Sequence, residues 1–549
     1  LTGPGGSVIA VIVLALLATT GRVFLAIGLA IVTGWLLGYL AIRSRGFETV
    51  YVSISEVFES VPVISFFPVV LIFFVDRIGG YLGVELAVDF LVFTAVVWNI
   101  WMGIYQAFKT VPAAMVEVLE NMGYGFLGKM RRLYIPFSVP RIAANLMPSF
   151  ADAYFYITVS EVFSVGATSY HVFGIGTLIS SYVSEGLYTY VYYSLAALAV
   201  LVAGVTLGLR SFANWAVAKY GLDTPMTLTR QRARGRWRAL SGFYAGAARP
   251  LRAVAGAVRR APVVRSIQVV RRRSPPGRGE GRALDWALRA VGVALLVLIV
   301  YGAAEVIIST RPSTWAYLLS QTWPILVGLA YDYVRVAAIA LVSFAIAVFL
   351  GYYLATHRRA EAVGVPLTLA LAALPAPAYF PLLFLATSAA LYRAFGGLTN
   401  ELYVVSLGFV STFYYIFYSY WMGLKAVPHE VNEVMDNLNM GFFTRLRKVL
   451  LPGTLPYIVT GLTSTIDSAW GGLMIGEYWP QIAGDRTLEV THGVLKIMDV
   501  ATYEGNIALA SYASLLFGVV VVVFALAFTR HLLEVSRRKY VIEEAIYAA

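Results

Sequence analysis

The sequence predicts an all-α polytopic membrane protein: two tandem, parallel-oriented helical domains of about five or six spans each, paired with pseudo-two-fold symmetry. Three observations predict it. The composition is too apolar for water, runs of membrane-spanning length recur along the chain, and charged and proline residues return at fixed offsets.

Of 549 residues, 59% are hydrophobic and 13% are charged, against roughly 25% charged in a soluble chain. Mean hydropathy is +0.73. A hydrocarbon core needs about 20 apolar helical residues to cross. Such runs fall at about 20–42, 55–78, 84–108, 139–164 and 187–209, then at about 285–307, 328–355, 366–393, 401–425, 455–478 and 508–530. Residues Ser7 to Ala18 are apolar but short, and read as an outward extension of the first helix. Six spans thus follow the middle of the chain and five precede it. The chain starts at Leu1 without an initiator Met, and a sixth span upstream would restore the balance.

Basic residues set the orientation, because cytoplasmic loops collect Lys and Arg. Arg43 and Arg45, then Lys129, Arg131 and Arg132, share one side with Arg358 and Arg359, with Arg445, Arg447 and Lys448, and with the tail from Arg530 to Lys539. The net charge of +12 is densest from Arg230 to Arg289, between the halves. It reads as a cytoplasmic linker touching anionic lipid rather than as a nucleic-acid site. The organisation is therefore a first transmembrane domain at 1–210, a basic linker at 211–284, a second transmembrane domain at 285–530 and a cytoplasmic tail at 531–549. With no cysteine, disulfides and thiolate chemistry are excluded. The five histidines show no metal-ligand spacing.

The second half repeats the first residue by residue. Arg22, Pro62, Phe67 and Pro68 return as Arg335, Pro375, Phe380 and Pro381, a shift of 313. Lys109, Pro112, Glu117, Gly125, Pro136 and Glu161 return as Lys425, Pro428, Glu433, Gly441, Pro452 and Glu477, a shift of 316. A three-residue insertion accounts for the change.

Each half carries one patterned cytoplasmic loop. The first places Glu117 six residues before Gly123, and closes on Leu133, Ile135 and Pro136. The second places Glu433 before Asn439, and closes on Val449, Leu451 and Pro452. Two short helices broken at Gly123 or Asn439 are expected, since Gly and then Asn best tolerate left-handed backbone. The proline then ends the second helix and turns the chain into the next span. Residues Gly123 to Lys129 also fit seven positions of a phosphate-binding loop, but the eighth is Met130, where Ser or Thr must hold magnesium. That match is a coincidence, and no ATPase is visible in the chain.

These loops resemble the coupling loop of ATP-binding-cassette importer permeases: Glu-Ala-Ala, three residues, Gly, nine residues, Ile, any residue, Leu-Pro. Here Val118-Leu119 and Val434-Met435 replace the Ala pair, and Asn439 replaces the second Gly. A finer likeness is to the nitrate, sulfonate and taurine branch, on Val61-Pro62 through Pro68, Leu374-Pro375 through Pro381, Ser160-Glu161-Val162 with Gly174-Ile175-Gly176, and Gly476-Glu477. The resemblance implies a fused permease subunit in the plasma membrane. It would bind no cofactor itself and would dock two copies of a cytoplasmic ATPase that hold ATP and Mg. An extracytoplasmic binding protein would deliver a small anion. Fused permeases for ferric iron or thiamine remain alternatives, as does an ion-gradient-driven secondary transporter. A membrane-embedded lipid enzyme lacks any convergent nucleophile or metal site.

Charges inside a membrane are default functional candidates. Helical rise puts Arg22 and Glu161 at similar outer depth, and Arg335 and Glu477 likewise. A repeated Arg–Glu contact is expected there, either fixing an outer gate or serving as a structural ion pair. Asp152 and Asp467 fall nearer mid-depth, where they could face a pathway, although a bare carboxylate suits an anion poorly. The Pro62–Pro68 and Pro375–Pro381 segments, with Phe67 and Phe380, are expected to break helices and free N–H groups toward an anion, or simply to kink.

Overall fold

A backbone group left unpaired in lipid costs several kcal/mol, so apolar runs become long helices. A computed structural model describes residues 8–60, 63, 70–165, 168–220, 311–427, 429–483 and 486–529. The first half runs through α1 (Val8–Arg43), α2 (Arg45–Ser60), a π-helical segment (Leu71–Ile78) and α3 (Gly80–Lys109). Two short helices follow, α4 (Ala113–Asn121) and α5 (Phe126–Lys129), then α6 (Ile135–Ser160), a hairpin of β1 (Val162–Val165) and β2 (Thr168–His171), α7 (Ile175–Ser184) and α8 (Tyr188–Tyr220). The second half opens on α9 (Pro312–Ser320), α10 (Thr322–Thr356), α11 (Arg358–Ala373), α12 (Ala376–Phe395) and α13 (Leu398–Ala426). It continues with α14 (His429–Asn437), α15 (Phe442–Arg445), α16 (Leu451–Gly453) and α17 (Leu455–Gly476). The hairpin β3 (Tyr478–Ala483) and β4 (Arg486–Glu489), then α18 (Val494–Tyr503) and α19 (Ile507–Phe524), complete it.

Among the described residues, seven helices are long and apolar enough to cross a membrane. The pair Phe442–Gly453 and Leu455–Gly476, bent by 76°, brings the number to as many as eight. The chain is an all-α polytopic membrane protein. Small residues let its helices close up: a Cβ on Gly472 would meet the Gly408 backbone at 2.5 Å, and one on Gly34 would meet Ile104 at 2.7 Å.

The halves interlock by reciprocal contacts. α8 of the first half packs on α11 of the second, while α19 of the second packs on α2 of the first. β1 meets α18 as β3 meets α7. Phe155 of α6 shares one buried cluster with Phe380, Phe384 and Tyr403, and Ala378 enters the main core of the first half.

Several expectations change. α1 is one continuous helix from Val8, so residues 8–18 extend the first span as expected. The 55–78 run is not a single helix: α2 ends at Ser60 and a π-helical segment begins at Leu71, with most of 61–69, including Pro62, Phe67 and Pro68, outside the described residues. The 366–393 run breaks at Leu374–Pro375, where Pro375 caps α12 and Pro381 sits inside it. Proline is tolerated in a first helical turn, where its missing N–H has no partner to lose. α8 continues past residue 210 to Tyr220; residues 221–310 and 530–549, holding most of the linker, the 285–307 run and the tail, lie outside the described residues.

Candidate functional site

The patterned loops form two matching knobs. α4 stops because Gly123 takes φ +74°, and α14 stops because Asn439 takes φ +47°. Both are left-handed conformations that close a helix C-terminus. The same turn follows each: Gly123 N donates to Glu120 O and Tyr124 N to Leu119 O, as Asn439 N donates to Asp436 O and Met440 N to Met435 O. One ion pair staples each turn, Lys129 to Glu120 at 2.6 Å and Arg445 to Asp436 at 2.7 Å. Lys129 is therefore engaged within its own loop, and among the described residues no strand precedes the Gly123–Lys129 segment.

Glu117 and Glu433 lie exposed, beside exposed Val118, Met122 and Leu127 in one loop and Val434, Leu438 and Phe443 in the other. Leu133 is buried, while Ile135, Val449 and Leu451 are half-buried, anchoring the knobs to the bundle. Of the two prolines, only Pro136 departs from the expectation. Pro136 lies in the first turn of α6, which follows the knob through a π-helical segment, whereas Pro452 lies in α16 just before the 76° bend.

Glu120 has its pKa lowered, first by the hydrogen bond from Lys129 and then by that ammonium's charge. Its ionised form thus stabilises the loop above the ordinary carboxylate range, and this contribution is lost as pH falls through the lowered value. A spin label at exposed Leu127 should keep constant mobility from neutral pH down to the ordinary glutamate value of 4.5 and loosen below it. With Lys129→Met, the label should already be mobile at neutral pH and show no transition as pH falls; identical profiles would remove the staple from the account.

At the opposite end of the helices, each arginine gathers carboxylates. Arg22 holds Glu85 through Nε at 2.6 Å and Nη2 at 3.1 Å, and reaches Glu161 and the Phe173 carbonyl through Nη1 at 3.1 and 3.0 Å. Arg335 holds Glu401 by two bonds of 2.7 Å, reaches Glu477 at 3.3 Å, and donates to the His492 carbonyl at 2.6 Å. The depth argument thus brought the right pairs together, but it missed Glu85 and Glu401, which are themselves 316 apart.

A third partner differs between the clusters. Thr19 donates to Glu161 and receives the Ile175 N–H. Its counterpart Asp332 instead takes Arg335 at 2.6 Å and the Val494 N–H at 2.7 Å. Gly174 and Gly493 are obligatory beside the glutamates, since a Cβ would lie 2.0 Å from Glu161 and 2.1 Å from Glu477. The backbone of each glutamate continues the tie, receiving its carbonyl's bond from Val172 or Val490 beyond the hairpin. Each cluster lies within one half and binds its helices to its hairpin.

Between the halves lies a cavity of about 270 Å³. Asp152 from α6 and Asp467 from α17 both line it, with Glu59 from α2. Asp152 accepts a 2.6 Å bond from Tyr415 of the other half. Pro375 and Ala376 also line the wall at the helix break, where Pro377 has no N–H and the Ala378 N–H is bonded to Pro375 O. Phe380 is turned away, 1% exposed and packed on Tyr403 and Trp479, and Pro381 is buried in α12.

Residues 346–538 match the family described as the binding-protein-dependent transport system inner membrane component. The match covers about a third of the chain, from within α10 onward, and takes in the second knob, Glu477 and Asp467. This segment is thus a permease domain of an ABC-type transport system, a transport component rather than a catalytic subunit, and the chain is a multi-pass plasma-membrane protein. Neither curated proteins nor solved structures gave a match.

Proposed function

We propose that this chain forms the membrane-spanning permease of an ATP-driven importer, both halves being copies of one permease unit around a shared pathway. The observation that carries the reading is the pair of knobs. Residues 316 apart build the same left-handed turn and the same staple in each half. Two equivalent, rigid projections suit two equivalent ATPase subunits, whose closure on ATP would drive the halves between inward- and outward-facing arrangements. The basic loops put the knobs in the cytoplasm, and the opposite face would receive a binding protein. The Arg22 and Arg335 clusters act as struts that keep each half rigid during the change, since their partners lie within a half rather than across the divide.

The nitrate, sulfonate or taurine-like anion implied by the finer resemblance is the substrate that the cavity supports least. One ionised carboxylate about 5 Å from an anion costs about 3 kcal/mol at an effective dielectric of about 20. Permeases for ferric iron or thiamine are compatible with the knobs. A gradient-driven carrier leaves both knobs without a purpose.

Purification from native membranes in mild detergent tests the reading. The expected result is an ATPase subunit at two copies per chain, with ATP-dependent uptake in vesicles. Uptake that survives without ATP and collapses with the ion gradient, with no ATPase retained, would replace it.

A further inference from the structure

We propose that two ion-pair clamps, Glu48 with Lys109 and Glu361 with Lys425, pass each knob's displacement to α2 and α11, two helices that line the shared cavity. The inference rests on the permease reading and names the residues that carry the knobs' movement to the pathway.

The first argument is position. Lys109 ends α3 and Lys425 lies in the last turn of α13, each two residues before the valine, Val111 or Val427, that leads into a knob. Glu48 and Glu361 lie in the first turns of α2 and α11. Neither α2 nor α11 adjoins a knob along the chain, so a knob moves them through contacts alone. The ion pairs tie each to the root of a knob, Lys109 to Glu48, and Lys425 to Glu361 at 2.6 Å.

The second argument is repetition. Glu48 and Glu361 are 313 apart and Lys109 and Lys425 are 316 apart, so two blocks of the repeat with different offsets meet in the same pair. Tyr105 donates at 2.5 Å to the Glu48 oxygen that Lys109 holds. Trp421, its counterpart at the 316 offset, donates at 2.9 Å to the Glu361 oxygen that Lys425 holds. Tyrosine gives way to tryptophan, and the donation survives. Helix dipoles favour a carboxylate at the start of a helix and an ammonium at its end, which accounts for each charge alone. They do not account for the two charges meeting beside an aromatic donor in both halves.

The third argument is where the clamped helices lead. Glu59 of α2 and Ala372 of α11, also 313 apart, line the cavity. Each lies eleven residues beyond its clamp, about 16 Å along a helix at 1.5 Å per residue. α2 packs on α19, and α11 on α6 and α8, so each clamped helix leans on the opposite half. Rigid elements joined by ion pairs and hydrogen bonds carry coupling between distant sites. A partly exposed pair adds little to stability, so the clamps act in transmission rather than in holding the fold.

The chain has no cysteine, so paired spin labels can be placed on the full chain, bound to its ATPase in lipid nanodiscs. Leu127→Cys with Phe443→Cys reports the distance between the knobs, and Ile54→Cys with Leu367→Cys the distance between α2 and α11. All four side chains are exposed, and each pair occupies equivalent positions of the repeat. With ATP and vanadate, both distances should shift in the parent. In Glu48→Ala with Glu361→Ala, the knob shift should persist and the α2–α11 shift should fall about threefold or more. Lys109→Met with Lys425→Met should do the same, which keeps the test open where the first variant fails to fold. Exchanging the partners, as Glu48→Lys with Lys109→Glu and Glu361→Lys with Lys425→Glu, should recover at least half of the shift. An α2–α11 shift equal to the parent's in the Ala or Met variants, or knobs that move in the parent without α2 and α11, would overturn the clamps and leave the permease reading intact. Knobs that ignore ATP and vanadate in the parent, or a chain that binds no ATPase, would sink the permease reading and the clamps with it.

Discussion

Arg335→Met is expected to destabilise the chain by about 3–5 kcal/mol, the range for removing one partner from a buried ion pair. The guanidinium is 3% exposed and bridges Asp332, Glu401 and Glu477 with the His492 carbonyl. Its removal leaves three carboxylates facing one another without a cation, and two of them, Asp332 and Glu477, are sealed from solvent. Arg22→Met is the internal comparison. It leaves two directly bonded carboxylates, Glu85 and Glu161, with Asp89 near by but not in contact, and the neutral Thr19 continues to donate to Glu161. It should therefore cost less. Copying the first half into the second, by adding Asp332→Thr to Arg335→Met, should restore part of the loss by removing one of the three negative charges. Thermal unfolding of the purified variants in detergent decides it. Arg22→Met proving as damaging as Arg335→Met, or Asp332→Thr worsening the double variant, would show that charge count does not govern these clusters.

Those clusters mark how far the sequence was legible. Arg22 and Glu161 were paired correctly because helical rise converts sequence position into depth, and the offsets repeated the pair as Arg335 and Glu477. Glu85 and Glu401 carried the same signal, a carboxylate in an apolar helix at the 316 offset, and were overlooked. The replacement of Thr19 by Asp332 was not legible, because its meaning depends on Ile175 and Val494 arriving from far along the chain. The hairpins were invisible for a related reason. Strands of four to six residues leave little periodic signal, and theirs are tied in place by the backbones of Glu161 and Glu477. The break before Pro375 was anticipated, but not that Pro381 would sit inside α12 or that Phe380 would pack inward. The sign of the cavity was half visible: Asp152 and Asp467 were singled out, while Glu59 and the aromatic wall emerge only when both halves close around one space.

The second large effect concerns the knobs, where Gly123→Val is expected to lower ATP-driven uptake at least tenfold in an otherwise folded chain. An L-residue in left-handed backbone costs roughly 1–2 kcal/mol, and a β-branched one is a stronger outlier still. At φ +74° the turn would open rather than bear this, losing the bonds from Gly123 N to Glu120 O and Tyr124 N to Leu119 O. The exposed Val118, Met122 and Leu127 would then no longer present one surface. Because the knob projects from the bundle and α4 has no buried residue, the helices behind it lose nothing, so expression and thermal stability should barely change. Asn439→Gly provides the control. Glycine reaches φ +47° without strain, so that variant should transport as well as the parent. Asn439→Val should match Gly123→Val only where both knobs are required for each cycle, and a much smaller loss would mean that one ATPase subunit carries the coupling. Glu117→Arg separates shape from charge, since this exposed side chain can change sign without disturbing the turn. Uptake per ATP hydrolysed, measured in vesicles holding the chain with its ATPase, is the readout, and an unchanged ratio in Gly123→Val would leave the knobs as ordinary hairpins.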